Sequence, residues 1–465
     1  MKPSPLFVLD VQPQKKWWRF FSPFLLLLAL PLAALGQANY ATPYTFATLA
    51  GHPGYEGQRG FEGDQDGTGS GATFYGPNGV AVDGAGNIYV ADFHNERVRK
   101  VTPTGVVTTL AGSNLGYADG ANSAARFNMP LGVAVDGATN LYVADYGNNA
   151  IRKVTPVGTN WVVTTLAGGS FGINDGTGTN AQFYDPIGLA MDSATNLYVV
   201  DERFNSGLSS SIRKVTPAGV VTTLAGGLMS RGTNDGAGTN AQFYNSTGVG
   251  VDNATNLYVA DNGNSTIRKV TPVGTNWVVI TLAGWGGQIG SNDGIGSAAQ
   301  FNQPNAVAVD STTNLYVPDQ GNNTIRKLTP IGTNWMVTTL AGQIGIQGKN
   351  DGTGTNAQFY SPAGAALDSA GNLYVADVNN ETIRRGFLAG GTPVILTNGT
   401  GLAFSNGLFG FNLTAAAGQL VVVDASTDLV VWSSVWTNTV GTGVLLFSDP
   451  QSGSYSNCFY RAHLP

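Results

Sequence analysis

Carboxylates and guanidiniums recur along the chain at a nearly fixed spacing. In five of six copies an Asp ends a short apolar stretch and an Arg follows seven residues later, and in the third copy the separation is twelve. The pairs are Asp92/Arg99, Asp145/Arg152, Asp201/Arg213, Asp261/Arg268, Asp319/Arg326 and Asp377/Arg384. A short hairpin would bring the two positions together in a two-pronged hydrogen bond. The pairs would form either a ring of arginines that captures anions or a structural clasp. The pattern favours the clasp, because each Arg already has a partner.

A second acid recurs in Asp-Gly turns, which begin at Asp66, Asp119, Asp175, Asp235, Asp293 and Asp351. The first, "GDQDGTG", has the D-x-D-G opening of a calcium loop, so Asp64 and Asp66 are candidate metal ligands. The loop lacks the later acidic residue that would complete the coordination. Asx-type turns explain the other copies without a metal. We therefore expect no cofactor, with calcium at Asp64 and Asp66 as the alternative.

The chain has three histidines, His52, His94 and His463. His52 and His94 are predicted to lie together in the first repeat near Glu96 and Asp64, where the repeats break pattern with ionisable residues. A His–acid metal site is one interpretation of this group, and ordinary solvated loop residues are the other. No G-x-S-x-G motif occurs, and Cys458 has no His assigned to it. We therefore predict no catalytic residues.

The elements that position these residues repeat six times. Aligning the Asp that ends each "NLYVAD"-type stretch gives intervals of 53, 56, 60, 58 and 58 residues. The second copy holds four strand-like runs, "LGVAVD", "NLYVAD", "AIRKVTP" and "WVVTTLAG". Six units of four strands predict an all-β, six-bladed β-propeller. The "TLAG" strand is missing after the sixth unit and stands at the front, in residues 44–51. We expect this N-terminal strand to close the last blade.

The pattern "LAG…DG…A.F..P.GVAVD..GNLYVAD..N..IRKVTP.G" resembles the NHL repeat, in the form seen in teneurin-type and bacterial exported propellers. The resemblance covers about residues 40–390. It implies a fold and not a function, because members include binding scaffolds and related propellers include lyases and lactonases. A metal-dependent lyase or lactonase-like hydrolase centred on blade one is therefore the alternative to a scaffold.

Three segments are predicted. Residues 1–36 combine a basic start with an apolar run and small residues, as a secretory signal peptide does. Residues 40–390 form the propeller. Residues 393–465 contain alternating apolar strands without the blade motif and predict a small β-sandwich-like domain. This last segment resembles C-terminal modules of secreted proteins of Verrucomicrobia-like bacteria.

Charge limits the partners. Without residues 1–36 the chain would carry 19 basic and 28 acidic residues, a net charge of −9. Nucleic acid needs basic patches, so we expect none to bind. If the signal is cleaved the product is not an integral membrane protein. The expected location is periplasmic, cell-surface or extracellular.

Loops on a rigid scaffold usually carry binding. In a propeller the connections from strand four to strand one and from strand two to strand three share one face, and here they are rich in Asn, Asp, Gly, Thr and Tyr. We predict a binding scaffold that engages protein or carbohydrate at the cell envelope through this face. The candidate binding residues are His52, His94, Glu96, Tyr146, Asn148, Asn262 and Asn322. On the opposite face Trp161, Trp277 and Trp335 would either bind sugars or cover the blades' outer edges, and the second is favoured.

Overall fold

The computed structural model describes residues 43–54, 62–203, 209–227 and 231–388, and beyond these the strands of the C-terminal part. The predicted signal peptide, residues 1–36, lies outside the described residues, as does Cys458. Pro43–Phe387 forms one compact unit, and Leu388–Pro465 belongs to a second.

The first unit consists of six antiparallel sheets, which we call blades one to six in chain order. Blade one contains β2 (Gly67–Thr68), β3 (Pro77–Val82), β4 (Ile88–Asp92), β5 (Arg97–Val101) and β6 (Val106–Gly112). Blade two contains β7 (Gly120–Ala121), β8 (Pro130–Val135), β9 (Leu141–Asp145), β10 (Ala150–Val157) and β11 (Asn160–Gly168). Blade three contains β12 (Gly176–Thr177), β13 (Pro186–Met191), β14 (Leu197–Arg203), β15 (Ser209–Val215) and β16 (Val220–Ala225).

The other three blades repeat this order. Blade four contains β17 (Gly236–Ala237), β18 (Gly248–Val251), β19 (Leu257–Asp261), β20 (Thr266–Val273) and β21 (Asn276–Ala283). Blade five contains β22 (Gly294–Ile295), β23 (Ala308–Val309), β24 (Leu315–Asp319), β25 (Thr324–Ile331) and β26 (Asn334–Ala341). Blade six contains β27 (Gly352–Thr353), β28 (Pro362–Leu367), β29 (Leu373–Asp377) and β30 (Thr382–Leu388), together with β1 (Tyr44–Gly51).

The N-terminal strand closes the ring. β1 lies between β27 and β30, with Thr45 opposite Thr353 and Phe46 opposite Gly352. Phe46 is fully buried and meets Phe359 edge to face, at 5.0 Å between ring centroids. The predicted six-bladed propeller closed by residues 44–51 is therefore confirmed.

Each blade has five strands, one more than the sequence pattern predicted. The extra strand is only two residues long and pairs with the outer strand of the same blade, as Gly67 and Thr68 of β2 do with Val107 and Val106. It begins directly after the Asp of the Asp-Gly segment, which therefore forms the edge of the sheet. A two-residue strand has no alternating pattern of its own, so its sequence resembled an ordinary turn.

Short 3₁₀ helices connect the strands. One set follows the two-residue strands, at Gly69–Gly71, Asn122–Ala124, Gly178–Asn180, Gly238–Asn240, Gly296–Ala298 and Gly354–Asn356. The other set follows the second full-length strand of a blade, at Phe93–Asn95, Tyr146–Asn148, Asn262–Asn264, Gln320–Asn322 and Val378–Asn380. Each helix of this second set ends on a left-handed residue, Glu96, Asn149, Ser265, Asn323 or Glu381.

The core lies between neighbouring blades. One cluster joins Leu110 and Ala111 of blade one to Phe127, Val133 and Leu141 of blade two. The central strands β4, β9, β19, β24 and β29 are buried along their whole length. This explains their continuous apolar sequences, because both sheet faces are covered by another blade.

The C-terminal unit contains two small sheets. Its strands are β31 (Val394–Leu396), β32 (Ala403–Ser405), β33 (Leu408–Thr414), β34 (Leu420–Ser426), β35 (Ser433–Thr439), β36 (Leu445–Asp449) and β37 (Phe459–His463). β33 pairs with β31, β32 and β36, whereas β34 pairs with β35 and β37. Phe447 of the first sheet packs against Trp436 and Tyr460 of the second, with ring centroids 5.7 and 5.6 Å apart. The predicted small C-terminal β domain is therefore confirmed.

The described residues include no helix that is both long enough and apolar enough to span a membrane.

Candidate functional site

A channel runs where the innermost strands of the six blades meet. Residues 78–80, 131–133, 187–189, 247–249, 305–307 and 364–365 line it and leave a cavity of about 60 Å³ that is open to solvent. Neighbouring inner strands approach closely because five blades place a glycine there. A Cβ on Gly188 would lie 2.5 Å from the carbonyl oxygen of Thr247 in the next blade. Blade five has Ala306 instead.

The channel opens onto what we call the loop face, which holds residues 93–96 of blade one, residues 113–129 between blades one and two, and the equivalent residues of the other blades. The opposite face holds the turns at residues 136–140 and 157–160 and their equivalents. An antiparallel sheet places alternate connections at opposite ends, so the two sets are separated by the length of a strand.

The repeated Asp and Arg meet directly below the loop face. Arg152 Nη1 lies 2.6 Å from Asp145 Oδ2, and neither side chain is exposed. The corresponding distance is 2.7 to 2.9 Å in the other five pairs, which are Asp92/Arg99, Asp201/Arg213, Asp261/Arg268, Asp319/Arg326 and Asp377/Arg384. Blade three keeps this contact although its two residues are twelve apart, because β14 continues two residues past Asp201 and pairs there with the first residues of β15.

The contact differs from the predicted two-pronged hydrogen bond between one carboxylate and one guanidinium. Asp145 Oδ1 accepts the Asn128 backbone N–H, so only Oδ2 is directed at Arg152. The second guanidinium nitrogen of Arg152, Nη2, lies instead 2.7 Å from Oδ1 of Asp119, the aspartate of the Asp-Gly segment. The same second contact, at 2.8 to 2.9 Å, joins Arg99 to Asp66, Arg213 to Asp175, Arg268 to Asp235, Arg326 to Asp293 and Arg384 to Asp351. Each arginine therefore bridges two aspartates with one nitrogen apiece.

The surroundings of the clasp hold both partners in place. Asp145 also accepts a hydrogen bond from the Asn148 amide, and Asp119 accepts from the backbone N–H and hydroxyl of Thr165 in the outer strand. Each guanidinium lies 5.0 to 5.3 Å from the ring of a buried Phe, which is Phe127 in blade two. Each arginine is therefore buried and held between two carboxylates. This geometry favours the structural clasp over anion capture.

Burial raises the pKa of the clasp aspartates. For Asp145 the donors Asn128 and Asn148, together with the charge of Arg152, oppose that shift. Burial likewise raises the pKa of Asp201 to about 6, against the opposing charge of Arg213.

The candidate calcium ligands contact arginines of blade one. Asp64 Oδ2 lies 2.8 Å from Arg97 Nη2, and Asp66 Oδ1 lies 2.8 Å from Arg99 Nη2. Partial burial alone would raise the pKa of Asp66, but hydrogen bonds from Thr109 and Arg99 lower it. Among the described residues no three His, Cys, Asp or Glu side chains converge as a metal site. Calcium at Asp64 and Asp66 stays a prediction, and the ion would compete with two guanidiniums.

Four other candidate residues make contacts within the scaffold. The amides of Asn148 and Asn322 contact other parts of the propeller. Each donates to the clasp Asp of its own blade and to a backbone carbonyl oxygen. Glu96 bridges blades, because its Oε2 accepts the Met129 N–H at 2.5 Å. Asn262 is buried and donates to the carbonyl of Pro304 in the next blade.

Three candidates remain closer to solvent. His94 is exposed and stacks on Tyr75, whereas His52 is half-buried directly after β1. Because β1 belongs to blade six, His52 lies at the start of the connection from blade six to blade one, and His94 lies within blade one. Tyr146 is half-buried on the loop face. Burial, followed by the charges of Asp185 and Glu202, raises the pKa of Tyr146 to about 12.

Blade three contributes two acids that the sequence did not single out. Glu202 is 3% exposed, and the Asn245 side-chain NH₂ of blade four donates to its carboxyl oxygens in the amide orientation that satisfies both groups. Burial, and then the nearby charge of Asp185, raises the pKa of Glu202 to about 7. The available signal was an acid at position 202 where other blades have Phe93, Tyr146 or Asn262.

The opposite face is built from rigid turns. Asp136 accepts hydrogen bonds from the backbone N–H groups of Ala138 and Asn140, from the Asn140 amide and from the Tyr142 hydroxyl. Trp161, Trp277 and Trp335 pack across blade boundaries onto tyrosines, at 5.8 to 6.2 Å between ring centroids. These rings cover the tyrosines of the preceding blades. Their packing agrees with a role in covering the blades.

Large apolar side chains are exposed on both faces, and on the opposite face they include Val157, Val273 and Ile331. Those of the loop face are Leu115, Tyr117, Met129, Phe171, Ile173, Trp285, Ile289, Ile344 and Ile346. Trp285 is 63% exposed, and Phe171 stacks on half-buried Tyr184 with ring centroids 3.9 Å apart. All lie in connections between consecutive blades, so the loop face combines apolar rings with polar backbone and amide groups.

Comparisons with known proteins agree with this architecture. Residues 74–101, 127–154 and 359–385 match the family model described as NHL repeat. The chain is 29% identical over 327 residues to Protein SUPPRESSOR OF QUENCHING 1, chloroplastic, of Arabidopsis thaliana, covering 66% of this chain and 30% of that protein. It is 28% identical over 342 residues to the human NHL repeat-containing protein 2, covering 66% and 46%. The chain thus spans less than half the length of these two relatives.

A solved structure supports the fold. An auxiliary nutrient binding protein from Bacteroides thetaiotaomicron superposes with a TM-score of 0.55 and 16% identity, covering 74% of this chain and 76% of that one. At this identity the likeness concerns the fold alone.

Proposed function

Because the propeller is built from NHL repeats, we propose that the chain is an exported binding scaffold that engages a ligand or partner through the loop face. One observation carries the proposal. The loop face exposes apolar and aromatic side chains that differ from blade to blade, whereas the clasp beneath them is the same in all six. The fold needs the repeated residues, and the variable exposed ones are left for recognition.

The charges beneath the loop face support binding over chemistry. The six clasp arginines are buried, and each contacts two carboxylates. Groups held in this way are already neutralised within the fold, and their contacts are the same in every blade. A catalytic constellation would instead need different groups from several blades to converge on one point.

The proposed location is the cell envelope, which includes the periplasm, the cell surface and the extracellular space. This part of the proposal rests on the signal-peptide pattern of residues 1–36. The proposed partner is a protein or a carbohydrate, because apolar rings beside amides suit both. The N-terminal sequence of the mature protein, read by mass spectrometry, tests export: cleavage after Gly36 supports it.

The experiment on binding compares the two faces. Trp285→Gln introduces on the loop face the residue found at the equivalent position 343, and Val273→Thr changes an opposite-face residue that is 56% exposed. Both proteins are applied to a glycan array and to an envelope extract. We expect the wild type to bind, Trp285→Gln to bind less and Val273→Thr to match the wild type. Failure of the wild type to bind in both assays, together with measurable lyase or lactonase turnover, would overturn the proposal.

A further inference from the structure

The six blades provide an internal reference for what the fold requires. Position 94 carries His in blade one, whereas blades two, four and five have Gly147, Gly263 and Gly321. Position 75 carries Tyr in blade one, as its equivalents do in blades three, four and six, but it is Asn128 in blade two and Asn302 in blade five. In those two blades the Asn side chain lies directly over the glycine, where a Cβ would come within 2.5 Å of it. The fold therefore does not require an imidazole at position 94, and the pairing of a His ring with the Tyr ring is specific to blade one.

Three rings form a continuous surface in blade one. His94 stacks on Tyr75 with centroids 4.5 Å apart and an interplanar angle of 40°. Phe93 meets His94 at 4.5 Å and 71°. His94 is exposed, and the other two rings are half-buried. We call these three residues the blade-one ring surface.

An ion pair specific to blade one stands on the adjoining segment. Arg97 Nη2 lies 2.8 Å from Asp64 Oδ2, and the two side chains are 23% and 47% exposed. Arg97 is replaced by Thr266, Thr324 and Thr382 in blades four to six. This pair therefore offers solvent-accessible carboxylate oxygens and guanidinium N–H groups in a fixed arrangement.

Hydrogen bonds fix the ion pair beside the ring surface. The Gly63 N–H donates to the Phe74 carbonyl oxygen at 3.1 Å, next to Tyr75. The Gly63 carbonyl oxygen accepts from the Asn95 amide at 2.7 Å, next to His94. Gly63 thus connects both ring-bearing segments to Asp64, so the rings and the charged groups belong to one rigid surface.

We propose that the blade-one ring surface, with Asp64 and Arg97, is a subsite for a neutral saccharide. A pyranose ring has an apolar C–H face that packs on aromatic rings, and hydroxyls on its rim that both donate and accept. Asp64 accepts from hydroxyls and Arg97 donates to them. Because the two charges cancel, the subsite favours an uncharged ligand over a charged one. The inference rests on the proposed function and narrows it to one ligand class and one blade.

The repeats supply variants that the fold already tolerates. Tyr75→Asn/His94→Gly gives blade one the residues of blades two and five, and Arg97→Thr gives it the residue of blades four to six. Tyr244→Asn is the matched control. Tyr244 lies over Gly263 in blade four, whereas the proposed subsite is in blade one. The probes are soluble neutral glucan, galactan and mannan in affinity gel electrophoresis, with a polyanionic dextran sulfate as the charged comparison.

We expect at least one neutral polysaccharide to retard the wild type, and the double variant to bind it about 3- to 10-fold more weakly, as the loss of one stacking contact implies. Arg97→Thr should also weaken binding, and Tyr244→Asn should not. The inference is overturned if no neutral polysaccharide retards the wild type, if the double variant binds like the wild type, or if only dextran sulfate binds. If Trp285→Gln loses binding and the blade-one variants do not, this inference is wrong. The scaffold proposal is still supported by that result.

Discussion

Removing one clasp arginine should destabilise the propeller far more than removing an exposed one. Arg152→Met retains much of the side-chain volume over Phe127 but leaves the buried carboxylate of Asp145 without a cation. Breaking a buried pair from one side costs about 3 to 5 kcal/mol. The matched control is Arg97→Met, whose ion pair with Asp64 is partly exposed and should contribute at most about 1 kcal/mol.

The double variant Arg152→Met/Asp145→Asn tests the origin of this loss. Removing the unpaired charge as well should recover part of the stability, so that the two changes are not additive. In Arg152→Met alone, the folded protein should hold a proton on Asp145 more tightly than the unfolded chain does. Its stability deficit should therefore be smaller at pH 5 than at pH 8.

Urea titrations followed by tryptophan fluorescence measure these differences, provided that the slope with urea stays constant among the variants. The reasoning is refuted if Arg152→Met loses less than about 1 kcal/mol, the scale of an exposed pair. It is equally refuted if Arg97→Met loses as much as Arg152→Met.

Three further outcomes test the fold and its electrostatics. Because the pKa of Glu202 is raised from 4.5 to about 7, the folded chain binds the Glu202 proton more tightly than the unfolded chain does. The free energy of unfolding should therefore fall by about 3 kcal/mol as pH rises from about 4.5 to 7. Glu202→Gln should remove this part of the pH dependence in thermal melts. Gly188→Ala, whose Cβ would lie 2.5 Å from the Thr247 carbonyl oxygen, should lower the free energy of unfolding by about 1 to 3 kcal/mol in urea titrations. Ala306→Gly at the equivalent position of blade five is the control. An equally large loss of stability in that variant would contradict the explanation by crowding. Phe46→Ala should cost about 3 to 5 kcal/mol and speed proteolysis near residue 43; unchanged proteolysis would count against closure by this strand.

The repeated residues made the fold predictable. The interval between copies of "NLYVAD" fixed six blades, and the "TLAG" copy at residues 44–51 identified the closing strand. The two-residue edge strands were missed, because their Gly-Thr or Gly-Ala sequences carry no alternation. For the same reason Asp119 and its equivalents were interpreted as turn residues, although each is a second carboxylate for the clasp arginine of its blade.

The candidate site was less predictable, because it depends on contacts between blades. Glu202 and Asp185 are acidic residues at positions where the other blades have other residue types. The contact of Glu202 with Asn245 forms only because the propeller places blade four beside blade three. Asn148 and Asn322 were predicted as binding residues because they lie in loops. Their amides contact the clasp and the backbone, a geometry that spacing along the chain does not reveal, and binding at these residues stays a prediction.

Closure by β1 sets an order of events during synthesis. The Tyr44 hydroxyl donates to the carbonyl of Gly371, 327 residues further along the chain. In the chain, β1 precedes and its partner β30 follows every other strand of the propeller, so blade six can be completed only when the whole repeat region is available. Until then, β1 is an apolar strand with an unpaired backbone edge. Protection of that strand by a chaperone, or its delayed collapse, would decide how much of the newly made protein reaches the finished ring.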